Sequence, residues 1–205
     1  MALDPTPRTK IRVVGLDKSF PYKHSVVNVL KGITFEVLEN ASLVILGPGG
    51  CGKTTLLKNL AGQLEYDQGQ IEYDQNHSIG FVFQNFSIFP WMSVRQNVEF
   101  GLKMKGVPSH ICHETAEKYI DLVGLKGFES YYPNQISGGM KQRVGVARML
   151  AISADIMLMD NPLGHLDAQT KYQLEDEFLR IWDAEKKTIV FVTNDIEEAI
   201  YLADR

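Results

Sequence analysis

Four short, mainly apolar runs stand out along the chain, and each ends in or is followed by a polar or loop-forming residue. Runs of this length and composition predict buried strands. Segments with apolar residues at helical spacing alternate with them, which predicts a mainly parallel sheet with helices on both faces, an α/β protein. The predicted strands span 42–46, 79–84, 156–160 and 188–194, and the predicted helices of this part span 55–61, 140–151, 167–182 and 195–203.

The first part of the chain has a different pattern, in which single apolar residues alternate with polar ones. Residues 10–37 contain two such stretches on either side of an aromatic turn at 19–24, and residues 70–73 form a third. Alternation with a period of two is typical of strands that have one exposed face. We therefore expect an N-terminal antiparallel β part beside the parallel sheet.

A helical insert is predicted between residues 89 and 134, where no strand pattern occurs. Ser93 with Gln96 three residues later forms a capping box, and a second helix is predicted to start at 108–109. One polar cluster in that second helix could suggest a metal site, but its spacing matches no usual zinc signature, so we interpret it as a solvated first helical turn. The cluster consists of His110, Cys112, His113 and Glu114.

The segment between the first buried strand and its helix is rich in glycine and ends in Lys53, Thr54 and Thr55. A strand, a glycine-rich loop and a helix N-terminus in this order can direct backbone N–H groups at phosphates, which predicts a phosphate-loop NTPase core. Lys53 would contact the terminal phosphates, and the Thr54 hydroxyl would coordinate Mg²⁺. A glycine-rich turn that binds nothing is the competing interpretation, and the strand–loop–helix context argues against it. The predicted nucleotide-binding residues of the loop are Gly47, Pro48, Gly49, Gly50, Cys51, Gly52, Lys53, Thr54 and Thr55.

Composition narrows the functional classes. The 205-residue chain has a net charge of −4, whereas a general nucleic-acid binder is usually basic, so we expect no nucleic-acid partner. No apolar run approaches the ~18 residues of a membrane span, and residues 1–10 lack the apolar core of a signal peptide. The only cysteines, Cys51 and Cys112, indicate a reducing compartment and no disulfide framework.

Polar residues mark the carboxyl ends of the other buried strands. Gln84, Asp160 and Asn194 each lie at or just after such an end. In open parallel sheets ligands bind beyond the carboxyl ends of the strands, so these side chains are expected to converge near the phosphate loop. A carboxylate after an apolar strand is the expected Mg²⁺-site residue of a phosphate-loop ATPase, which assigns Asp160 to the metal together with Thr54.

The run Ile-Ser-Gly-Gly-Met-Lys-Gln-Arg at 136–143 closely resembles the signature sequence of ATP-binding-cassette (ABC) ATPases. Its glycines and capping serine form a helix N-terminus able to present N–H groups to a phosphate. The resemblance covers essentially the whole chain from Ile11 onward. It implies that ATP held by a partner subunit is contacted by Ser137, Gly138, Gly139 and Met140.

The same resemblance implies roles for residues outside these motifs. Phe20 is similar to the aromatic residue that stacks on adenine, with Tyr22 as the alternative. Gln84 is similar to the glutamine that touches Mg²⁺ and relays to the membrane subunit. Asp167 ends a segment at 164–167 that resembles the D-loop, which crosses to the partner subunit.

Residues 83–94 and 193–199 are most similar to the nitrate, sulfonate, taurine and bicarbonate importer ATPases. This resemblance implies a peripheral subunit on the cytoplasmic face of the bacterial inner membrane, with ATP and Mg²⁺ as cofactors. The expected partners are a second ABC ATPase subunit, transmembrane permease subunits and, indirectly, a periplasmic solute-binding protein. We expect one ABC ATPase domain over 1–205, with its core at about 1–88 and 136–205 and its helical subdomain at about 89–135. The end of the family's domain is expected to be missing or different after Arg205.

The predicted catalytic residues are Gln84, Asn161 and Asn194, and the last two depart from the family pattern. Asn161 stands where the family has the glutamate general base, and Asn194 stands where it has a histidine that contacts the γ-phosphate. A neutral amide cannot accept the proton of the attacking water, so we expect impaired hydrolysis at the chain's own site. The leading hypothesis is an ATPase subunit that powers import. The alternative is a catalytically silent subunit that completes a partner's site, which suits an unequal pair and fits a homodimer poorly. Whether the chain pairs with a copy of itself or with a different ATPase subunit is left open by the sequence. DNA-repair ATPases with this signature would need a long coiled-coil insertion, which the sequence lacks.

Overall fold

The computed structural model of the chain describes residues 8–75, 77–83, 88–164 and 168–204. These residues group into two compact units. The first contains the chain as far as Ile79, Asp155–Asp160 and the residues from Lys186 onward, and the second contains Gly80–Ala154 and Asn161–Glu185. The sequence-based boundaries between core and helical subdomain stay a prediction.

Seven strands and six α-helices make up the described part of the chain. The strands are β1 (Thr9–Tyr22), β2 (Ser25–Leu38), β3 (Ser42–Leu46), β4 (Gln68–Tyr73), β5 (Ile79–Val82), β6 (Ile156–Asp160) and β7 (Thr188–Thr193). The helices are α1 (Lys53–Leu60), α2 (Val94–Met104), α3 (Ser109–Leu122), α4 (Gly138–Ala151), α5 (Ala168–Glu185) and α6 (Ile196–Leu202), with a 3-10 turn at Pro133–Gln135. None of these helices combines the length and the apolar character that crossing a membrane requires.

The predicted N-terminal antiparallel part is confirmed as a sheet in the order β2-β1-β4. Ile11, Val13 and Leu16 of β1 are fully buried, while Arg12 and Val14 between them are exposed. This is the alternation that the sequence showed, and it buries one face of the sheet because successive side chains of a strand point to opposite sides.

Gly69 brings the start of β4 against a bulge in β1. Its φ is 98°, and a Cβ at this position would lie 2.5 Å from the Gly15 carbonyl oxygen and 2.7 Å from the Leu16 Cα. Only glycine combines this backbone conformation with so close an approach. The contact fixes the turn before β4, where Asp67 donates its N–H to the Asp17 carbonyl at 2.8 Å.

The parallel sheet of the first unit runs in the order β3-β7-β6, with both neighbouring pairs parallel. Every residue of β6 and β7 is buried. Burial on both faces explains why these strands are continuous apolar runs in the sequence. The predicted α/β class with a mainly parallel sheet is therefore confirmed.

Helix α1 packs on this sheet through Leu56, Leu57 and Leu60, which are all buried, and contacts β6 and β7. It begins at Lys53, two residues before the predicted start, because the glycine loop leads directly into the first turn. In the last segment of this unit, α6 packs against β3 and β7.

In the second unit, α2, α3 and α4 pack on one another, and residues 88–137 contain no strand, as the sequence predicted. The capping box at Ser93 and Gln96 is confirmed, since each side chain bonds the other residue's backbone N–H. The interpretation of Cys112 as part of a solvated turn is wrong. Cys112 is fully buried and its thiol contacts the Val107 carbonyl at 3.3 Å, whereas the neighbouring Ile111 is 40% exposed.

We expect Gly69→Ala to lower the free energy of unfolding by about 3 kcal/mol or more, because it adds overpacking to a left-handed backbone. Gly62→Ala is the matched control, since Gly62 also has a positive φ (66°) but no atom lies within 4 Å of the added Cβ. That variant should cost only about 1–2 kcal/mol. Urea unfolding measures both, and equal costs would contradict the close approach of β4 to β1.

Candidate nucleotide-binding site

The phosphate loop connects the end of β3 to the first residue of α1. Gly47 is held beside β7, because its N–H donates to the Thr193 carbonyl at 3.2 Å. Gly52 immediately precedes α1, and a Cβ there would lie 2.8 Å from Val29 Cγ1. The strand β2 thus passes against the loop at Val29. No local signal in the sequence indicates that contact, which joins residues far apart along the chain.

The Lys53 side chain folds back over the loop. Its ammonium group donates to the Gly47 carbonyl at 2.6 Å and to the Pro48 carbonyl at 2.9 Å, and it lies 3.9 Å from the Cys51 Sγ. The positive charge is therefore held at the mouth of the loop. Because this loop also leads into a helix N-terminus, backbone dipole and ammonium charge favour an anion at the same place.

Thr54 and Asp160 meet although they lie on different elements. The Thr54 hydroxyl at the start of α1 donates to Asp160 Oδ1 at the end of β6, over 3.0 Å. The sequence predicted that these two residues share a metal site, and the structure brings them together. A carboxylate and a hydroxyl oxygen are hard ligands that suit Mg²⁺.

Asp160 has only 6% of its surface exposed. Burial raises the pKa of its carboxyl group, and the hydrogen bond from Thr54 and the charges of Lys58 and Lys53 oppose that rise. Burial is the larger cause because a buried carboxylate loses its hydration. A bound cation would remove this penalty, so the donor set fits a metal ion.

Asn194 directly follows β7 and is exposed. The residue before it, Thr193, accepts the Gly47 N–H through its carbonyl oxygen and donates its hydroxyl to the buried Glu198. Asp195 caps α6 by accepting the N–H of Glu197 at 2.9 Å. Asn194 therefore follows a firmly held strand end whose last carbonyl bonds the first glycine of the phosphate loop.

The signature segment lies in the second unit at the N-terminus of α4. Ser137 is the N-cap, and its hydroxyl accepts the Met140 N–H at 3.2 Å. Ser137 and Gly138 are exposed, and no atom lies within 4 Å of a Cβ added at Gly138. The N-terminus of α4 is therefore open at Gly138 among the described residues.

Asn161 has a left-handed backbone, with φ at 44°. Its side chain packs against Gly164, where a Cβ would lie 2.8 Å from the Asn161 Cγ. The buried Oδ1 of Asn161 has no hydrogen-bond partner among the described residues. Asparagine and aspartate tolerate this backbone region far better than glutamate does, which gives a conformational reason for asparagine here.

The two candidate adenine-stacking aromatics lie on the β1–β2 hairpin. Phe20 is partly exposed and pairs with Val27, while Tyr22 is 59% exposed and pairs with Ser25 near the hairpin tip. Gln84 and Asp167 lie outside the described residues, so their roles remain predictions.

The strand order, the phosphate loop and the Thr54–Asp160 pair define a phosphate-loop nucleotide-binding domain. The profile of the family described as ABC transporter matches residues 30–164. An uncharacterized ABC transporter ATP-binding protein of Methanocaldococcus jannaschii is 47% identical, over 97% of this chain and 76% of that protein. The chain belongs to the ABC transporter family, as an ATP-binding domain.

Further relatives have names that state what they import. The nitrate import ATP-binding protein of Synechocystis is 41% identical over 95% of this chain and 76% of its own length. The aliphatic sulfonates import ATP-binding protein of Bacillus cereus is 38% identical over 95% of this chain and 79% of its own length. A dimeric ATP-binding cassette in a post-hydrolysis state, bound to ADP and Pi, superimposes with a TM-score of 0.84 at 28% identity over 93% of this chain and 90% of that one.

We expect Asp160→Asn to stabilise the nucleotide-free protein at pH 7, by about 0.5–2 kcal/mol. Because the native pKa of Asp160 is raised, the folded state binds this proton more tightly than the unfolded state. The contribution of this group to stability is then largest at low pH and falls as the pH rises past its unfolded and native pKa values. The gain from Asn should accordingly shrink at acidic pH. Urea unfolding at pH 7 and pH 4.5 measures the difference, and a variant less stable at pH 7 would contradict it.

Proposed function

We propose that this chain is the ATP-binding subunit that powers solute import through an ABC transporter, by nucleotide-driven dimerisation and ATP hydrolysis. The observation that carries the proposal is the hydrogen bond from Thr54 to Asp160 beside the Lys53 ammonium. It joins a phosphate-binding loop and a metal-binding carboxylate at the edge of one parallel sheet. The names of the nitrate and sulfonate relatives support import as the process that is powered.

In this proposal the loop residues bind and orient the triphosphate. The Lys53 ammonium donates to two neutral carbonyl oxygens, which neutralise its charge only partly. Charged phosphate oxygens can replace these carbonyls and form stronger, charge-assisted hydrogen bonds. Thr54 and Asp160 would hold Mg²⁺, which supplies positive charge to the β- and γ-phosphates when bound. The exposed N–H groups of the loop and the N-terminus of α1 complete the phosphate cradle.

The signature segment at the N-terminus of α4 supports dimerisation. The exposed helix N-terminus at Ser137 and Gly138 can present N–H groups to a phosphate held by a second subunit. The similar cassette that binds ADP and Pi is itself a dimer, which supports this arrangement. A pair of chains would then enclose two ATP molecules, each between one subunit's phosphate loop and the other's signature.

We place the subunit at the cytoplasmic face of the membrane, docked on transmembrane permease subunits, with a periplasmic solute-binding protein as the indirect partner. The relatives that carry the words "import ATP-binding protein" support this placement. The import substrates in their names, nitrate and aliphatic sulfonates, are small anions. We propose a solute of this class, delivered by partners rather than recognised by this chain.

We also propose that the chain hydrolyses ATP slowly, because of Asn161 and Asn194. Neither side chain can act as a general base, and loss of such a base costs ~10²–10⁴-fold in rate. The unpartnered Oδ1 of Asn161 is an acceptor that can orient a water molecule without taking its proton. We therefore favour a slow ATPase. The relatives described above give no support to the alternative of a silent subunit.

Lys53→Ala should weaken ATP binding by about 100-fold or more, because a charge-assisted contact to phosphate is lost. Lys126→Ala is the matched control, since it removes one exposed lysine charge from the second unit. Calorimetry with Mg-ATP measures both affinities. Equal affinities for wild type and Lys53→Ala would show that the loop is not the phosphate site.

Restoring a carboxylate at position 161 should accelerate hydrolysis by ~10²-fold or more when combined with Asn194→His. Asn161→Glu supplies the family's residue, but the left-handed backbone strains it by roughly 1–3 kcal/mol. Asn161→Asp supplies a carboxylate that tolerates this backbone. Both double variants are compared with wild type in single-turnover assays, because steady state can be limited by dimer opening. If wild type cleaves ATP as fast as both, Asn161 and Asn194 do not limit the chemistry.

A further inference from the structure

Asp67 lies in the turn just before β4 and accepts hydrogen bonds from two consecutive residues of β1. Ser19 donates its backbone N–H to Asp67 Oδ2 at 2.6 Å and its hydroxyl to the same oxygen at 2.5 Å. The Lys18 ammonium donates to Asp67 Oδ1 at 2.9 Å. One carboxylate therefore fixes both the backbone and a side chain immediately before Phe20.

Lys18 in turn contacts the Phe20 ring. The two residues are two apart along β1, so their side chains lie on the same side of the strand. The Lys18 ammonium is 5.4 Å from the ring centroid, within the range of a cation–π interaction. One face of the Phe20 ring is thus covered by a charge that Asp67 holds in place.

The hairpin register places Phe20 nearer to the phosphate loop than Tyr22. Phe20 pairs with Val27, and Val29 two residues further along β2 lies against Gly52 of the loop. Tyr22 pairs with Ser25, so it lies two more residues away from that contact. At ~3.3 Å per residue, Phe20 is about 7 Å nearer the loop along the strand than Tyr22.

The contacts of Asp67 favour its ionised form. The bonds from the Ser19 hydroxyl and from Lys18 lower the pKa of Asp67 to about 2. The carboxylate is therefore ionised near neutral pH, where it can accept the hydrogen bonds from Ser19 and Lys18. The close packing at Gly69 further fixes the turn that carries it.

We propose that Asp67 is a positioning residue for nucleotide binding, which acts through Ser19 and Lys18 to hold the Phe20 ring with its uncovered face toward the adenine of ATP. This inference rests on the proposed ATP-binding function. A ring that is already ordered loses less conformational freedom when the base stacks on it, and the smaller entropy loss increases the affinity for ATP. The contribution is specific to the base, because the phosphates bind elsewhere.

The test compares two ligands, Mg-ATP and Mg-bound inorganic triphosphate, by calorimetry on the full chain. Asp67→Asn should weaken ATP binding by about two- to tenfold, the cost of ordering one side chain, and leave triphosphate binding unchanged. Lys18→Met, which keeps the aliphatic stem, should give the same selective loss if Asp67→Asn fails to fold. Asp74→Asn is the matched control, because Asp74 directly follows β4 and accepts a hydrogen bond from Arg8 at 2.6 Å, away from Phe20.

A double-variant cycle separates positioning from general stability. Phe20→Ala should itself weaken ATP binding by about fivefold or more, as loss of a stacking platform does. In the Phe20→Ala background, Asp67→Asn should cause no further loss. A fluorescent triphosphate that carries 2-aminopurine as its base adds a spectroscopic signature, since stacking quenches it and Asp67→Asn should reduce the quenching.

The outcomes distinguish this inference from the function on which it rests. If Phe20→Ala weakens ATP binding selectively but Asp67→Asn and Lys18→Met do not, the positioning role of Asp67 is overturned. The same holds if Asp67→Asn weakens ATP and triphosphate equally, or acts undiminished in the Phe20→Ala background. If wild type fails to bind Mg-ATP at all, the proposed function fails first, and the inference fails with it.

Discussion

The hydrogen bond from the Thr54 hydroxyl to Asp160 is the interaction on which the account of this site depends. It forms because two strands of one parallel sheet end at the same edge, one leading into the phosphate loop and the other ending in a carboxylate. Between them, β7 holds the loop through the bond from Gly47 to the Thr193 carbonyl. The buried carboxylate is destabilising by itself, which is the usual mark of a group kept for binding rather than for stability.

In the proposed function the antiparallel sheet also contributes to the nucleotide site. Strand β2 lies against the phosphate loop at Val29, and its partner β1 carries Phe20 opposite Val27, two residues along β2 from that contact. The carboxylate of Asp67 ties the turn before β4 to β1 at the residues next to Phe20. In the proposed function, phosphate binding and base stacking are supplied by two different sheets of the first unit, and the hairpin register sets the separation of Phe20 from the loop along the strand.

Local signals in the sequence predicted most of the elements and the chemistry of the loop. The capping box at Ser93, the apolar strands and the glycine loop are each encoded within a few neighbouring residues. The burial of Cys112 was mispredicted because a free thiol packs as a small hydrophobe, whatever its polar neighbours. The Asp67 contacts could not be predicted, since they join residues 48 positions apart. The left-handed backbone at Asn161 is equally invisible until the strand end and Gly164 are placed.

The most direct measurement is the ATP affinity of wild type and Thr54→Val, each with and without Mg²⁺, by calorimetry. Valine keeps the shape of threonine and removes only the hydroxyl that bonds Asp160. We expect Mg²⁺ to raise the wild-type affinity by about tenfold or more, which is ~1.4 kcal/mol, and to have little effect on Thr54→Val. The Mg²⁺-free affinities of the two proteins should be similar. An equal gain from Mg²⁺ in both proteins would contradict the assignment of Thr54 and Asp160 to the metal site.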